Sequence, residues 1–582
     1  MIRARLHRFL PLVFCTLFLA SACLPTPNLF GAPPPAPTSR PATAALPPPT
    51  SAPTLTSVPG LTSTPLPLTL WISESLPPIL RAEAEAWGIP IAADPDSAAL
   101  VLDAALQPHS VNAQWIYALV APFPTVADGV TLDELKQAWG GASAGSLDRL
   151  GTAPFAGRPL WMADSTLAAF SALWGAPAPG SVRTAPADEL LDAAWNDMPS
   201  WAIIPFEEIE PRWKVLTVDG QSPIRKDFKD WDYPLQVTFS LTRFQLADPQ
   251  PANLPTFELS PTNRDPSKLT TVILTGVTAL VRATAYTMNV KGVLYPGEAI
   301  RDWMREADIA HISNEIPFYG GCPEPDPGQD ALVFCSNPRY IDLLTDLGAD
   351  VVELTGNHFA DYGANAMFET LALYNEKGIP YYGGGADAED ARKPLLLEVN
   401  GNKIAFIGCN RPDTGAFPTA TDTRPGAAGC DYEYMTARVK SLREQGYLPI
   451  VTFQYVETDV PQPFEQQVQD FRLMAEAGAV IVNGSQAHLP QVMEFYEGAF
   501  IHYGLGNLFF DQMGLPGAGS PKQREFLDRH VFYNGRYLGV ELLTTLLEDF
   551  ARPRPMIPEE RAAFLDFYFT ESDWSSALTT YP

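Results

Sequence analysis

Apolar runs alternate with amphipathic stretches along most of the chain, and they form two regions. In the first region, residues 68–250, several runs have the length and pattern of strands: LTLWIS, AALVLDAAL, WIYALVAPFPTV and WAIIPFEEI. LPPILRAEAEAWG and TLDELKQAWGG have the helical pattern, and the second has Thr131 as a good N-cap and Gly140 as a stop. Strands that alternate with helices predict a parallel or mixed α/β sheet.

The second region, residues 269–550, follows a Pro- and polar-rich segment at 251–268 that is interpreted as a linker. Its predicted strands are TTVILTG, ADIAHIS, ADVVELTG, NKIAFIGCN, LPIVTFQY, GAVIVNGS and AFIHYGLG. Its predicted helices are GEAIRDWMRE, PRYIDLLTDLG, NAMFETLALYNEKG and EQQVQDFRLMAEAG. Residues 551–582 read as a short appendix packed by aromatic side chains.

The N-terminus has the pattern of a secretory signal peptide over residues 1–23. Three arginines precede FLPLVFCTLFLA, an apolar stretch too short to span a bilayer as a permanent helix. The run LASAC then resembles a bacterial lipobox, which predicts a lipid anchor on Cys23; cleavage without lipidation is the alternative. Residues 24–67 contain fourteen prolines and a single charge, Arg40, which predicts an extended tether. The expected location is the bacterial cell surface, outside the cytoplasm.

The composition is strongly acidic, with 39 Lys and Arg against 67 Asp and Glu and a formal net charge of -28. Such a chain repels DNA and RNA, so nucleic acid is not an expected partner. Four cysteines follow Cys23, and they allow three pairings. In an exported protein we expect disulfides, of which the local choice is Cys322–Cys335 with Cys409–Cys430; four free thiols are the alternative.

Polar side chains follow the apolar strands of the second region at five places. They are Asn314 and Glu315; Asn357, His358 and Asp361; Gln454 and Glu457; Gln486 and His488; and Asn507. In an open α/β sheet, side chains beyond the carboxyl ends of the strands meet in one crevice. Imidazole, carboxylate and amide groups suit Zn, Mn or Fe. A single histidine at a strand end is more often structural, but five such places in one region indicate a shared site.

These motifs resemble those of the bacterial CapA proteins, which are named for poly-γ-glutamate capsule synthesis. The matching elements are Gly276 to Arg282, SNEIPF, Gly356-Asn357-His358 with Asp361, and YGLGNLFFD with Asn507. The resemblance covers roughly residues 270–515 and implies a metallophosphoesterase-like α/β/β/α sandwich. Residues 68–250 resemble a lobe of a solute-binding protein more generally. Their aromatic residues Trp115, Tyr117, Phe123 and Trp161 are interpreted as core, with a ligand cleft as the alternative.

The chain departs from the family pattern at three donor positions. Val277 stands in place of an aspartate, and Gln454 and Ser485 stand in place of histidines. A dinuclear site of this type needs more ligands than remain. The resemblance therefore implies one divalent metal (Zn, Mn or Fe), or none. The predicted ligands are Asn314, Glu315, Asn357 and His488.

The resemblance also implies roles for the other polar residues. His358, supported by Asp361, is the expected general acid, and Arg282 is expected to pair with an anionic substrate group. Gln454, Glu457, Gln486 and Asn507 are expected to contact substrate. The predicted function is an exported, lipid-anchored CapA-like protein that makes or processes a poly-γ-glutamate-type polymer as a metal-dependent hydrolase. The alternative is a catalytically retired surface lipoprotein that binds a polymer or a small solute. The expected partners are a cell-surface polymer or anionic small molecule and, through Cys23, the membrane.

Overall fold

The computed structural model describes residues 68–105, 111–141, 155, 157–243, 256–411, 418–512 and 520–578. The predicted signal peptide, the lipobox at Cys23 and the tether lie outside the described residues. All described residues belong to one compact unit, Pro65–Pro582. Within those ranges, no helix combines the length and the apolar character needed to cross a membrane.

The first region forms a mixed nine-stranded sheet, as its alternating pattern predicts. Its strands are β1 Leu70–Ile72, β2 Leu100–Ala104, β3 Asn112–Pro122, β4 Gly129–Val130, β5 Leu160–Met162, β6 Val182–Thr184, β7 Trp201–Pro205, β8 Trp213–Val218 and β9 Gln236–Arg243. Their order is β1-β2-β9-β3-β7-β5-β6, with β8 beside β3 and β4. The helices are α1 Pro78–Glu85, α2 Leu132–Trp139, α3 Asp164–Trp174 and α4 Leu190–Asn196. Thr131 caps α2 in a capping box with Glu134, and Gly140 ends it.

The second region contributes a nine-stranded and a six-stranded sheet. The nine-stranded sheet has the order β14-β13-β12-β10-β24-β25-β26, with β11 pairing β12 and β23. Its strands are β10 Leu269–Leu274, β11 Val277–Thr278, β12 Ile309–Asn314, β13 Val351–Glu353, β14 Tyr381–Tyr382, β23 Asn507–Phe509, β24 Arg524–Tyr533, β25 Arg536–Glu548 and β26 Arg552–Pro555. The six-stranded sheet, ordered β16-β17-β19-β20-β22-β21, contains β16 Leu395–Val399, β17 Asn402–Asn410, β19 Leu448–Gln454, β20 Ile481–Ser485, β21 Met493–Tyr496 and β22 Ala499–His502.

A small ladder and several helices complete this region. The ladder joins β15 Gly384–Gly385 to β18 Gly426–Ala427. The helices are α5 Arg282–Lys291, α6 Arg301–Glu306, α7 Ile341–Leu347, α8 Gly363–Lys377, α9 Ala388–Ala391, α10 Tyr432–Glu444, α11 Glu465–Glu476 and α12 Pro558–Glu571. Short 3-10 turns lie at Pro95–Ser97, Phe206–Glu208, Asp230–Asp232, Pro266–Lys268, Tyr295–Gly297, Pro338–Tyr340, Pro521–Gln523 and Ser575–Ala577. Each of the seven predicted strands overlaps an observed one.

Alternating side chains on the strands divide the second region into four layers. Val272 and Phe406 point into the core between the two sheets. Ile273, the neighbour of Val272, packs against α5 to α8 on the outer face of the larger sheet. Ala405, the neighbour of Phe406, packs against α10 and α11 on the outer face of the smaller sheet. The predicted α/β/β/α sandwich is confirmed.

The two regions share one hydrophobic core. The Phe123 ring, directly after β3, lies 5.0–5.9 Å, between centroids, from four aromatic rings: Phe495 and Phe500 of the second region, and Phe569 and Trp574 of the C-terminal segment 551–582. Trp115 and Tyr117 are also core residues, as predicted, while Trp161 is partly buried against the same core. Residues 256–268 also pack onto the first region, where the Asn263 amide bonds the main chain of Ile116. The structure contains both local disulfides, Cys322–Cys335 and Cys409–Cys430.

Candidate functional site

The carboxyl ends of strands from both sheets of the second region meet at one edge. In the larger sheet, β11, β12 and β13 are parallel, and Thr278 is paired with Asn314 at their ends. In the smaller sheet, β17, β19 and β20 are parallel, and Asn410, Gln454 and Ser485 are in register at theirs. The polar residues that follow these strands therefore face one another across the join between the sheets.

Gln454 is the centre of this edge. Its Nε2 lies 3.2 Å from Oε1 of Glu315 and 3.0 Å from Oδ1 of Asn357, and it also contacts Oε1 of Gln486. Its Oε1 accepts a hydrogen bond of 2.6 Å from the Ser485 hydroxyl, which fixes the orientation of the amide. Gln454 is only 1% exposed. The structure thus brings Glu315, Asn357, Gln454 and Gln486 together in a buried polar cluster.

His488 joins the same cluster from the loop after β20. Its Nδ1 lies 2.8 Å from Oδ1 of Asn507, whose Nδ2 in turn donates to the His488 carbonyl at 3.0 Å. Because an amide oxygen can only accept, Nδ1 of His488 carries the hydrogen, and Nε2 faces Glu315 Oε1 at 3.9 Å. Gln486 and His488 have φ angles of 82° and 59°. Such left-handed backbone is unfavourable for these residues, which indicates that the surrounding contacts hold the loop in place.

His358 and Asp361 form a pair beside the cluster. His358 Nδ1 lies 2.7 Å from Oδ2 of Asp361, and the same oxygen accepts the main-chain N–H of Phe334 at 2.8 Å. Burial alone would lower the pKa of His358, but the bond to Asp361 and the nearby Glu315 carboxylate outweigh it and raise the pKa above its ordinary value. The His358 side chain is 16% exposed, so it reaches solvent from this edge.

Arg282, which the sequence predicts to pair with a substrate anion, is paired in the structure with Asp511. Its Nε lies 3.1 Å from Asp511 Oδ1, its Nη2 contacts the same oxygen, and Asp511 Oδ2 accepts the Ala283 N–H at 2.9 Å. The guanidinium also lies 5.0 Å from the ring centroids of Phe334 and Phe510. Asp511 was not among the predicted site residues, although an acidic residue directly after the apolar run NLFF was a usable signal.

Glu457 and Asn314 lie at the margins of the cluster. Glu457 accepts a 2.9 Å bond from Lys522 on the partly exposed side, and its pKa is lowered: burial opposes the shift, but Lys522 and His488 favour the charged form. Asn314 donates to the Ile316 carbonyl at 2.7 Å. Of the predicted site residues, Glu457 and Arg282 are ion-paired with Lys522 and Asp511 at the margin of the cluster, while the others contact one another or their immediate neighbours.

The donor set of this edge does not fit the predicted divalent metal. Val277, at the position of the family aspartate, belongs to an apolar cluster with Ile316, Phe334 and Phe510. Glu315 and His488 are the strong donors among the predicted ligands, and the Gln454 amide nitrogen already contacts the Glu315 oxygen that faces His488. Among the described residues, no three His, Cys, Asp or Glu side chains are arranged to hold a metal ion.

Two stacked sheets with helices outside, and polar strand ends at one edge, define a domain of the metallophosphoesterase-like class. The family model "Bacterial capsule synthesis protein PGA_cap" matches residues 271–512. Over these residues the chain is similar to the CapA family, as a divergent relative of it.

Two curated relatives show the extent of the likeness. "PGA biosynthesis protein CapA" of Bacillus subtilis (strain 168) is 29% identical over 178 residues, covering 30% of this chain and 47% of that protein. "Capsule biosynthesis protein CapA" of Bacillus anthracis is 27% identical over 179 residues, covering 30% and 43%. The chain thus spans less than half the length of these relatives.

Solved structures resemble the chain only distantly. A putative 5'-nucleotidase from Staphylococcus aureus is 12% identical with a TM-score of 0.31, covering 52% of this chain and 58% of its own. An ABC-type phosphate transport receptor from Vibrio cholerae is 14% identical with a TM-score of 0.26, covering 31% and 89%. At these scores, neither likeness carries an argument about what this chain binds.

Proposed function

We propose that this chain is an exported accessory protein of capsule-type polymer synthesis, and that its candidate site binds a poly-γ-glutamate-type polymer without metal-dependent cleavage. The observation that carries the proposal is the Gln454 cluster: strand ends from both sheets meet there, inside the segment that the capsule-synthesis family model matches. The name of the Bacillus subtilis relative, a PGA biosynthesis protein, supports the choice of polymer, and the name of the Bacillus anthracis relative supports a role in capsule biosynthesis.

Binding of a polyanion by this acidic chain requires cations at the candidate site. A γ-linked glutamate polymer repeats one amide and one carboxylate per unit, and a chain of net charge -28 repels it at long range. Binding must therefore rest on local cations. The cations where the edge meets solvent are His358, whose pKa is raised, and Lys522, which is ion-paired with Glu457 and Asp459 and would exchange these carboxylates for those of the polymer.

The proposal also includes export. The signal pattern of residues 1–23 and the Pro-rich residues 24–67 support a folded unit held at the outer face of the membrane through Cys23. Labelling of the full chain with a radioactive fatty acid in a bacterial host tests this step. Labelling that disappears in Cys23→Ala agrees with it, and an unlabelled, released protein contradicts the anchor.

Polymer binding is tested with the full chain and fluorescently labelled poly-γ-glutamate, by fluorescence anisotropy. We expect Lys522→Ala and His358→Gln each to weaken binding about tenfold, the effect of roughly 1.4 kcal/mol. Lys393→Ala is the matched control, because it removes an exposed cation that pairs with Asp390 instead of facing the site. The absence of binding by the unmodified chain, or equal losses in all three variants, contradicts the proposal.

A second candidate, hydrolysis of the polymer, is favoured by one observation. The 2.7 Å pair between His358 and Asp361 has the geometry of a histidine held ready for proton transfer. Incubation of the full chain with long polymer, followed by size-exclusion chromatography, separates the two candidates. Shortened polymer that requires His358 favours hydrolysis, whereas bound polymer of unchanged length favours the accessory role.

A further inference from the structure

Three oxygens from three separate segments converge on one nitrogen, Nε2 of Gln454. Glu315 Oε1 and Asn357 Oδ1 come from the larger sheet, and Gln486 Oε1 comes from the loop after β20 in the smaller sheet. The four side chains belong to residues that are all buried. The Gln454 nitrogen is thus one point at which the two sheets are joined through polar side chains, at the edge where their carboxyl ends meet.

An amide nitrogen is an unusual centre for such a group. It has two hydrogens, so it can satisfy two acceptors in good geometry and not three. A cation has no such limit, and buried carboxylate and amide oxygens that surround one point are the normal environment of a bound cation. The oxygen of the Gln454 amide accepts a hydrogen bond from Ser485. Exchanging the positions of the amide oxygen and nitrogen would place a fourth oxygen beside those of Glu315, Asn357 and Gln486.

We propose that the Gln454 amide takes the place of a cation at this edge. It holds the oxygens of Glu315, Asn357 and Gln486 together, and the working site of the native chain is complete without a metal. Replacing the amide NH2 by an oxygen then converts the cluster into a divalent-cation site. This inference rests on the proposed function only because both place the functional site at this edge. Its test uses no polymer, so the cation-like role of Gln454 and the polymer-binding function can each fail without the other.

The test compares the full chain with the variant Gln454→Glu, which places a second carboxylate among the three oxygens. Melting temperature is measured in EDTA and in excess Mn²⁺ or Zn²⁺, and bound metal is measured by elemental analysis after gel filtration. For the native chain we expect the two melting temperatures to agree within about 1 °C. For Gln454→Glu we expect a clear loss in EDTA, because two buried carboxylates repel, and a recovery with about one equivalent of bound metal.

Gln467→Glu is the matched control. Gln467 is also a buried glutamine of the second region, but its Nε2 donates to two acceptors, Gln491 Oε1 at 3.0 Å and the Tyr503 carbonyl at 3.1 Å. We expect Gln467→Glu to have a lower melting temperature than the native chain, and we expect added metal not to raise it. A native chain that keeps stoichiometric metal and loses stability in EDTA overturns the proposal. So does a Gln454→Glu variant that gains no more from metal than the control.

A further variant covers the case in which Gln454→Glu does not fold. Gln454→Met has a similar shape but no donor, so it leaves three buried oxygens without their shared partner. We expect it to lower the melting temperature by more than Gln467→Met does, with no response to EDTA. An equal effect of the two methionine variants contradicts a cation-like role for Gln454.

Discussion

The main chain of Gly356 rests directly on the main chain of Glu315: a Cβ at Gly356 would lie 2.2 Å from the Glu315 carbonyl oxygen and 2.5 Å from its Cα. These loops follow β13 and β12, which are paired in the larger sheet. The close approach places Asn357 beside Glu315, where both reach Gln454. A glycine is required here for space, and the polar cluster depends on it.

We therefore predict that Gly356→Ala disrupts the cluster. The added methyl group cannot fit against backbone, so the loop must move and Asn357 must leave Gln454, at a cost of roughly 1–3 kcal/mol in the free energy of unfolding. Chemical denaturation measures the loss. Gly328→Ala is the control, because Gly328 is exposed and a Cβ there meets only an Asp326 side-chain oxygen at 3.4 Å. Equal stability of the two variants would show that the contact has no structural role.

The buried pair between Arg282 and Asp511 leads to a second prediction. Both side chains are largely buried, so removing one partner leaves an uncompensated charge. We expect Asp511→Asn to reduce the free energy of unfolding by about 3–5 kcal/mol. The double variant Arg282→Met, Asp511→Leu has neither charge, so we expect much of the lost stability to be recovered. A double variant as unstable as the sum of its single variants would contradict this explanation.

The positions of most site residues could be predicted because the end of a buried strand is visible in the sequence as a change from apolar to polar residues. Buried runs such as LPIVTFQY end at a polar residue, and topology then brings those ends together. The ion-pair partner of Arg282 and the residue that orients the Gln454 amide could not be predicted, since they depend on which strands are neighbours and in what register. Asp511 and Ser485 are examples.

The paired strands β24 and β25 were missed for a different physical reason. The sequence REFLDRHVFY of β24 has a polar cluster in its middle, which is typical of an exposed segment. In the structure these side chains are buried and paired: Asp528 with His502 at 2.6 Å, and Arg529 with Glu541 at 2.9 Å. Hydrophobic periodicity assumes that polar residues are exposed. A core strand whose polar side chains are buried in pairs is therefore not predicted by this pattern.

Glu525 gives the third prediction, which concerns pH. Burial raises the pKa of Glu525 to about 8, against hydrogen bonds from Thr545 and Gly276 that favour the charged form. The unfolded chain releases this proton near the ordinary value of 4.5, so the folded state binds more protons between these values. The contribution of Glu525 to stability is complete below pH 4.5 and is lost as the pH rises to about 8.

In that window the free energy of unfolding should fall by up to ~1.4 kcal/mol per pH unit on account of this carboxyl group. Glu525→Gln should remove this slope, which urea titrations at several pH values measure. Glu389→Gln, a change of an exposed glutamate, should keep the native slope. A Glu525→Gln variant with the slope of the native chain would mean that Glu525 is ionised in the folded state.

The last prediction concerns how the two regions unfold. Their shared core contains Phe123, and the junction is also held by ionic contacts: Asp128 accepts bonds of 2.6 and 2.8 Å from Arg561 of α12, and Lys214 lies 2.8 Å from it. Burial would raise the pKa of Asp128, but Arg561 and Lys214 outweigh it and hold the pKa well below its usual range. A junction that is both apolar and ion-paired couples the stability of the two regions.

We therefore predict a single cooperative transition for residues 68–578 in calorimetry. Phe123→Ala removes a ring packed against four aromatic rings of the second region and the C-terminal segment 551–582, and it should reduce the free energy of unfolding by about 3–5 kcal/mol. Trp231→Ala, a change of a largely exposed ring, should change it by less than about 0.5 kcal/mol. Two transitions in the native chain, of which Phe123→Ala lowers only one, would show that the regions are stable separately and that the shared core does not couple them.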